Sequence, residues 1–268
     1  MADTPAELRE VVDAQAPLRR SPSPDAPLDT EALKGELVTI DQTNPEGWCH
    51  GTLASDGYAG WLPANALAAP GKPATHKVAV PRTLSFPGPS IKLPPIEALS
   101  LGCRLAIART EGPFAITTTG GHIPARHLAP IDVFASDPVA IAEAFLHVPY
   151  LWGGKTSLGL DCSGLVQIAL AACGIPCPRD SHMQEAALGV ALPAAVSARD
   201  YSTLQRGDLV FWKGHVALVR DRDTLIHANA FQMAVAIEPT AQALARIAAA
   251  EGELTSARRI IVARADTL

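Results

Sequence analysis

Short alternating runs cut by proline, glycine and Asn/Asp turns occupy the stretch from Pro17 to Leu67, and this spacing leaves little choice beyond a small all-β barrel. The runs are Glu36-Leu-Val-Thr-Ile40, Trp48-Cys-His-Gly-Thr52 and Tyr58-Ala-Gly-Trp-Leu62. They are separated by Asn44-Pro45-Glu46-Gly47 and Ser55-Asp56-Gly57, where the chain must reverse. The spacing predicts a first barrel over residues 17–69. A Pro/Gly-rich join, Ala69-Pro-Gly-Lys-Pro73, then opens a second segment with strand-like runs at Cys103–Arg109 and Phe114–Thr118. Its ending, Gly121-His-Ile-Pro-Ala-Arg-His-Leu128, echoes Trp61-Leu-Pro-Ala-Asn-Ala-Leu67, which predicts a second, diverged barrel over residues 74–131 interrupted by the insert Phe86–Pro95. Ahead of both, Leu8, Val11 and Val12 fall at helical spacing before Pro17 and predict a short helix within residues 1–16.

The periodicity turns mixed from about residue 136 onward. Val139–His147 and Cys162–Cys173 read as helices, the second stopped by Gly174, and Pro239–Glu251 as an Ala-rich helix. Leu209–Trp212, His215–Val219, Thr224–Ala228 and Ala257–Arg264 read as strands. The fold class is therefore α+β for residues 136–268, behind an all-β half.

Whole-chain properties remove several classes of function. Across 268 residues the net charge is −5, and no basic cluster exceeds a pair such as Arg19-Arg20 or Arg258-Arg259, so a phosphate backbone has no electrostatic footprint here. No apolar stretch approaches a membrane span, and the N-terminus lacks the continuous apolar core of an export signal, which makes a cytoplasmic protein the expectation. Five scattered cysteines, an odd number, suit reduced thiols better than a disulfide framework.

Chemistry concentrates in the second half. In Leu160-Asp-Cys-Ser-Gly-Leu165 a glycine-containing loop delivers Cys162 to the start of an apolar helix, with Leu165, Ile168, Ala169 and Ala172 as its buried stripe. A thiol there meets the positive end of the helix dipole, which predicts a lowered pKa and a nucleophile. Such a nucleophile needs a base, and the base needs an orienting partner. A turn centred on Asp221 would set His215 directly opposite His227 on one face of a hairpin, with Cβ atoms about 5 Å apart. His215 is assigned as base and His227 as its partner, although spacing alone allows the roles to be exchanged. The same Cys and two His allow a zinc site, but no Cys-x-x-Cys or His-Glu-x-x-His accompanies them, and neither metal nor cofactor is expected. The other six histidines read as structural.

Three motifs, Tyr150-x-Trp-Gly-Gly154, Asp161-Cys-Ser-Gly164 and Gly214-His-Val216, resemble the hallmarks of the NlpC family of papain-like cell-wall peptidases. The first barrel, through Asp56-Gly-Tyr-Ala-Gly-Trp-Leu-Pro63, resembles bacterial Src-homology-3 domains. The resemblance implies a papain-like domain over residues 136–268, and hydrolysis of the γ-D-glutamyl to diamino acid bond in small murein peptides with a free L-Ala amine, as in cell-wall recycling. By the same likeness Asp180 and Ser181 of Arg179-Asp-Ser181 bind that amine, and Tyr58, helped by Glu36, closes the substrate end. Tyr150 and Trp152 line the cleft, and Asp161, which supports the loop, is counted with Ser163 on the substrate side. An amidase or acyltransferase on the same scaffold, and a non-catalytic wall-binding protein, are the alternatives. The diamino acid and the oligomeric state stay open.

Overall fold

The computed structural model describes residues 7–192, 201 and 203–261. It divides into two compact units, Met1–Phe134 with Trp152–Ser157, and Ala135–Leu151 with Leu158–Leu268.

The first unit is built on one seven-stranded antiparallel sheet. Its order is Leu28–Leu33, Gln15–Arg19, Ala59–Pro63, Trp48–Leu53, Leu37–Thr43, Glu7–Val11, Leu67–Ala68. Alternation decides which side chains go inside: Trp48–Leu53 buries every second residue, and Val11, Leu18, Val38, Leu53 and Leu62 form a core closed to solvent. The two expected turns are present, with Gly47 and Gly57 at φ +85° and +75°, a region that glycine enters without steric cost.

The predicted N-terminal helix is absent from the described residues. Glu7–Val11 is a strand, paired with Leu37–Thr43 on one side and Leu67–Ala68 on the other, and Gln15–Arg19 is already inside the barrel. Three apolar residues within five positions fit either period, and the open edge of the neighbouring strand offers hydrogen bonds that an isolated short helix lacks. Val11 is buried while Leu8 and Val12 are exposed, as a strand with one inward face requires.

The second barrel is looser. Residues 76–130 form two three-stranded sheets and a hairpin, Arg82–Ser85 with Glu97–Ser100, that brackets the Phe86–Pro95 insert. Their core of Val78, Leu99, Cys103, Leu105 and Ile123 is completed by Leu33 of the first barrel. The sequence echo is a structural one: the strands ending at Pro63 and Pro124 each lead into a single 3₁₀ turn, Ala64–Ala66 and Ala125–His127, and then a strand beginning with leucine.

Trp152–Ser157, which the sequence placed in the catalytic half, packs as part of the first unit. The Lys155 backbone N–H donates to Glu31 (2.9 Å), and its buried ammonium reaches Glu36 Oε2 (3.4 Å). At Gly153, φ is +76° and a Cβ would lie 2.5 Å from the Leu28 carbonyl oxygen, so only glycine passes here. Burial pushes the Glu36 carboxyl upward, but Lys155, the Leu33 N–H (2.7 Å), Ser55 and Arg104 together outweigh it and hold the group below the usual glutamate value.

Among the described residues the second unit has four helices, α1 (Pro138–Glu143), α2 (Cys162–Ala172), α3 (Ser181–Ala187) and α4 (Thr240–Ala250). Its antiparallel sheet of six strands runs Val190–Ala191, Ser256–Arg259, Leu209–Trp212, His215–Val219, Thr224–Asn229, Ala234–Pro239. Asp137 caps α1 through a bond from Val139 N, and Gly174, at φ +75°, follows α2. Helix α2 is buried all round from Cys162 to Leu170 rather than along one stripe. The last strand is Ser256–Arg259, and the expected continuation over residues 262–264 lies outside the described residues. No helix among the described residues is long and apolar enough to cross a membrane.

Removing the carboxylate in Glu36→Gln strands the Lys155 ammonium in the interior and should destabilise the chain by about 3 kcal/mol or more in urea unfolding. Adding Lys155→Met should restore much of that loss, whereas equal stabilities of wild type and Glu36→Gln would show the pair to be idle.

Candidate active site

The head of α2 is fixed before any catalytic group is considered. Asp161 occupies the N-cap, its carboxylate accepting Gly164 N (2.7 Å). Both oxygens also receive the guanidinium of Arg179, Nη1 to Oδ1 at 2.9 Å and Nη2 to Oδ2 at 2.7 Å, and Arg179 Nη1 donates to Ser163 Oγ (2.8 Å). Arg179 is 1% exposed, so this planar two-point pair is shielded from water, where such pairs are strongest. Gln184 of α3 donates to the carbonyls of Ser163 and Pro178 (both 2.9 Å), tying α3 to the same corner. Asp161 and Ser163 thus brace the nucleophile helix.

Cys162 is buried at that head. Its thiol donates to the carbonyl of Gly214 (3.9 Å) and lies against the N–H of Val216, so the sulfur sits beside the backbone on both sides of His215. The two-residue turn Lys213-Gly214, between the paired residues Trp212 and His215, makes this possible. Gly214 adopts φ +80°, which lets His215 begin its strand at once.

The two histidines meet, though in a different register from the expected one. Leu218 pairs with Ile226 and Val219 with Leu225, so the turn is centred on Arg222, not Asp221, and His227 lies diagonal to His215 instead of opposite. Arg220 N and Asp221 N both donate to Thr224 O, and Asp223 N to Asp221 Oδ1, which makes the turn two residues longer on its far side. A two-residue slip preserves the face. His215 Nε2 and His227 Nδ1 are accordingly 2.8 Å apart, with ring centroids at 5.1 Å. One strand further on, His227 pairs with Ala236, and Glu238, again diagonal, brings Oε2 to 2.6 Å from His227 Nε2. Arg246 of α4 donates to both Glu238 oxygens, Nη2 at 2.7 Å and Nε at 3.2 Å.

Electrostatics correct one expectation. Burial pushes the Cys162 thiol up to about 12, the Asp161 carboxylate adds to the rise, and the N–H groups of Val216 and Ser163 with Arg179 only partly oppose it. Position at a helix N-terminus is therefore outweighed by desolvation. Burial likewise takes His215 down to about 3, with His227 and Arg246 in the same direction and Glu238 against. Burial therefore works against a lone thiolate and a lone imidazolium alike, and the thiol donates to Gly214 O. Moving that proton from sulfur to imidazole leaves the site's net charge unchanged, so burial resists it less than it resists either single ionisation.

The remaining expected residues are distributed as follows. Tyr150 is partly buried, and burial, then Cys162 and Asp161, raise its phenol, which places the ring in the field of the nucleophile. Trp152 is 65% exposed and belongs to the first unit. Asp180 stands at the N-cap of α3 and makes no side-chain cap bond, and Ser181 beside it is buried. Tyr58 packs against the first barrel's core, and Glu36 is enclosed by Leu33 and Lys155. Arg179, Glu238 and Arg246 went unrecognised as site residues. The alternating run Ala234-Val-Ala-Ile-Glu-Pro239 was a strand signal that would have exposed Glu238.

Comparison with known proteins agrees with this geometry. Residues 147–247 match the NlpC/P60 family and residues 18–67 the Sh3 domain of bacterial dipeptidyl-peptidases. A gamma-D-glutamyl-L-lysine dipeptidyl-peptidase of Bacillus cereus is 28% identical over 244 residues, covering 79% of this chain and 70% of that protein. Dipeptidyl-peptidase 6 of Lysinibacillus sphaericus is 35% identical over 105 residues, 39% of this chain and 36% of that one, so the chain spans only about a third of its length. The fold superposes on an NlpC/P60 family protein of Bacillus cereus with a TM-score of 0.78 at 21% identity, covering 96% of this chain and all of the other. The buried Cys162 against the His215 strand and these matches agree: residues 147–247 are an NlpC/P60 domain, a cysteine peptidase by its site, and residues 18–67 are an N-terminal Sh3 domain.

Proposed function

We propose that this peptidase hydrolyses the γ-D-glutamyl to diamino acid bond of small murein peptides that carry a free N-terminal L-Ala, with Cys162 as nucleophile, His215 as base and His227 as its orienting partner. The observation that carries the chemistry is the buried thiol held between Gly214 O and Val216 N, on either side of an imidazole that is itself hydrogen-bonded to a second. The bond specificity is supported by relatives named gamma-D-glutamyl-L-lysine dipeptidyl-peptidase in two Bacillus species. A cytoplasmic role in cell-wall recycling belongs to the same proposal.

In this reading, substrate entry brings the γ-glutamyl carbonyl to the sulfur. Cys162 passes its proton to His215 and attacks, and the oxyanion is held by the Cys162 backbone N–H. His215 returns the proton to the departing amine of the diamino acid, which leaves a thioester. Water, deprotonated by His215, then attacks the thioester carbonyl, and release of the carboxylate restores the thiol. At the other end of the substrate, an ammonium taken from water needs an anion and hydrogen bonds. Asp180 and Ser181, adjacent at the start of α3, supply both. Tyr150, which lies in the field of the nucleophile, is the aromatic wall of the proposal.

Two outcomes are expected. Cys162→Ala should melt like the wild type yet release no diamino acid from L-Ala-γ-D-Glu-L-Lys or its diaminopimelate counterpart, as read by mass spectrometry of the products. Unchanged release would remove Cys162 from the chemistry, and cleavage at another bond would favour an amidase. Acetylating the substrate's amine should lower kcat/KM at least about tenfold, the worth of one charge-assisted contact. Asp180→Asn should show a comparable loss on the free peptide and none on the acetylated one; equal rates for both peptides in the wild type would dismiss the amine pocket.

A further inference from the structure

We infer that Glu238, anchored by Arg246, is a positioning residue that dictates where the protons sit on both histidines and so leaves His215 with its bare nitrogen toward Cys162. The inference rests on the peptidase reading only for the purpose of the arrangement, since the proton order itself follows from contacts within the second unit.

The argument starts at the outer end. Glu238 receives two guanidinium bonds from Arg246 and one bond from His227, and these contacts together hold it ionised. An ionised carboxylate can only accept, so the 2.6 Å contact requires the proton on His227 Nε2. Neutral imidazole carries one N–H, which makes His227 Nδ1 an acceptor. The 2.8 Å contact to His215 must then be donated by His215 Nε2. His215 Nδ1 is left without a proton. That is the ring nitrogen nearest its own backbone, where the Cys162 sulfur lies between Gly214 O and Val216 N. The chain of contacts thus selects the one tautomer of His215 that can accept the thiol proton.

A second consequence concerns the charged state. Once His215 has taken the proton, both its nitrogens carry hydrogen, and the positive charge is shared through His227 toward Glu238. Glu238 favours that imidazolium, whereas Arg246 disfavours it. Arg246 therefore serves by fixing the carboxylate's position, and its stacking on the Phe231 ring, 4.4 Å from the centroid, holds the guanidinium in turn.

Long-range ¹H–¹⁵N correlation spectra of the whole chain, uniformly ¹⁵N-labelled and without substrate, read each imidazole's tautomer directly. The expected result near neutral pH is the Nε2–H form for both His215 and His227. A protonated His227 Nδ1 in the wild type would overturn the inference. In Glu238→Gln, whose amide can present either its oxygen or its nitrogen to His227, the single tautomer should give way to a mixture, and kcat on the murein tripeptide should fall about ten- to a hundredfold with KM within twofold. Unchanged tautomers together with unchanged kcat would also overturn it. A wild type that shows the expected tautomers but cleaves no murein peptide would count against the substrate assignment and for the proton order.

Discussion

A guanidinium with almost no access to water holds the second unit's site together. Arg179 meets both oxygens of Asp161 and the hydroxyl of Ser163, and those two residues flank the nucleophile in the chain. Because the same carboxylate caps α2, the start of the helix, the direction of the Cys162 side chain and the segment leading into α3 are decided by one cluster. Taking either partner away would leave a buried charge without compensation, a far larger cost than loss of an exposed pair. A sulfur that must meet one ring nitrogen within hydrogen-bonding reach is best carried by an element whose first turn cannot fray.

The same strategy recurs at the other side of the catalytic pair. Glu238 with Arg246 forms a second ionic group, placed two hydrogen bonds away from the base rather than next to it. Between these two charged clusters, Cys162 and His215 are both pushed by burial toward neutrality. The charged groups are therefore structural, while burial works against an isolated charge on either reacting group. A thiolate standing permanently at the helix head would be exposed to oxidation and alkylation. Burial at the head of α2 shields the Cys162 sulfur from such reagents.

Much of this was legible in the sequence because the decisive residues are local. Cys162 at a loop-to-helix junction, the stop at Gly174 and the two barrel endings all depend on neighbours within a few positions, and each was recovered. The misreadings share a cause, which is that hydrogen bonds from distant segments decided the outcome. Leu8, Val11 and Val12 suit a helix until the edge of Leu37–Thr43 is available. The His215–His227 register depended on how Asp221 and Thr224 closed the turn, which spacing does not reveal. The lowered thiol pKa expected of Cys162 was a sound inference from the helix dipole alone. It failed because burial is a property of the assembled unit, and no local pattern reports it.

Glu238 shows how a functional residue escapes such a reading. A glutamate followed by proline at the end of a short alternating run has the features of a strand terminus facing solvent. Its role arises from three antiparallel strands in which each side chain of the chain of contacts lies one diagonal step from the last, His215 to His227 to Glu238. Side chains on one face of a sheet repeat every two residues, so a diagonal step keeps all three on that face while advancing toward α4 and Arg246. The proton order is thus a consequence of sheet geometry: with the register displaced by one residue at either hairpin, a histidine would turn to the opposite face and the path from carboxylate to sulfur would be broken.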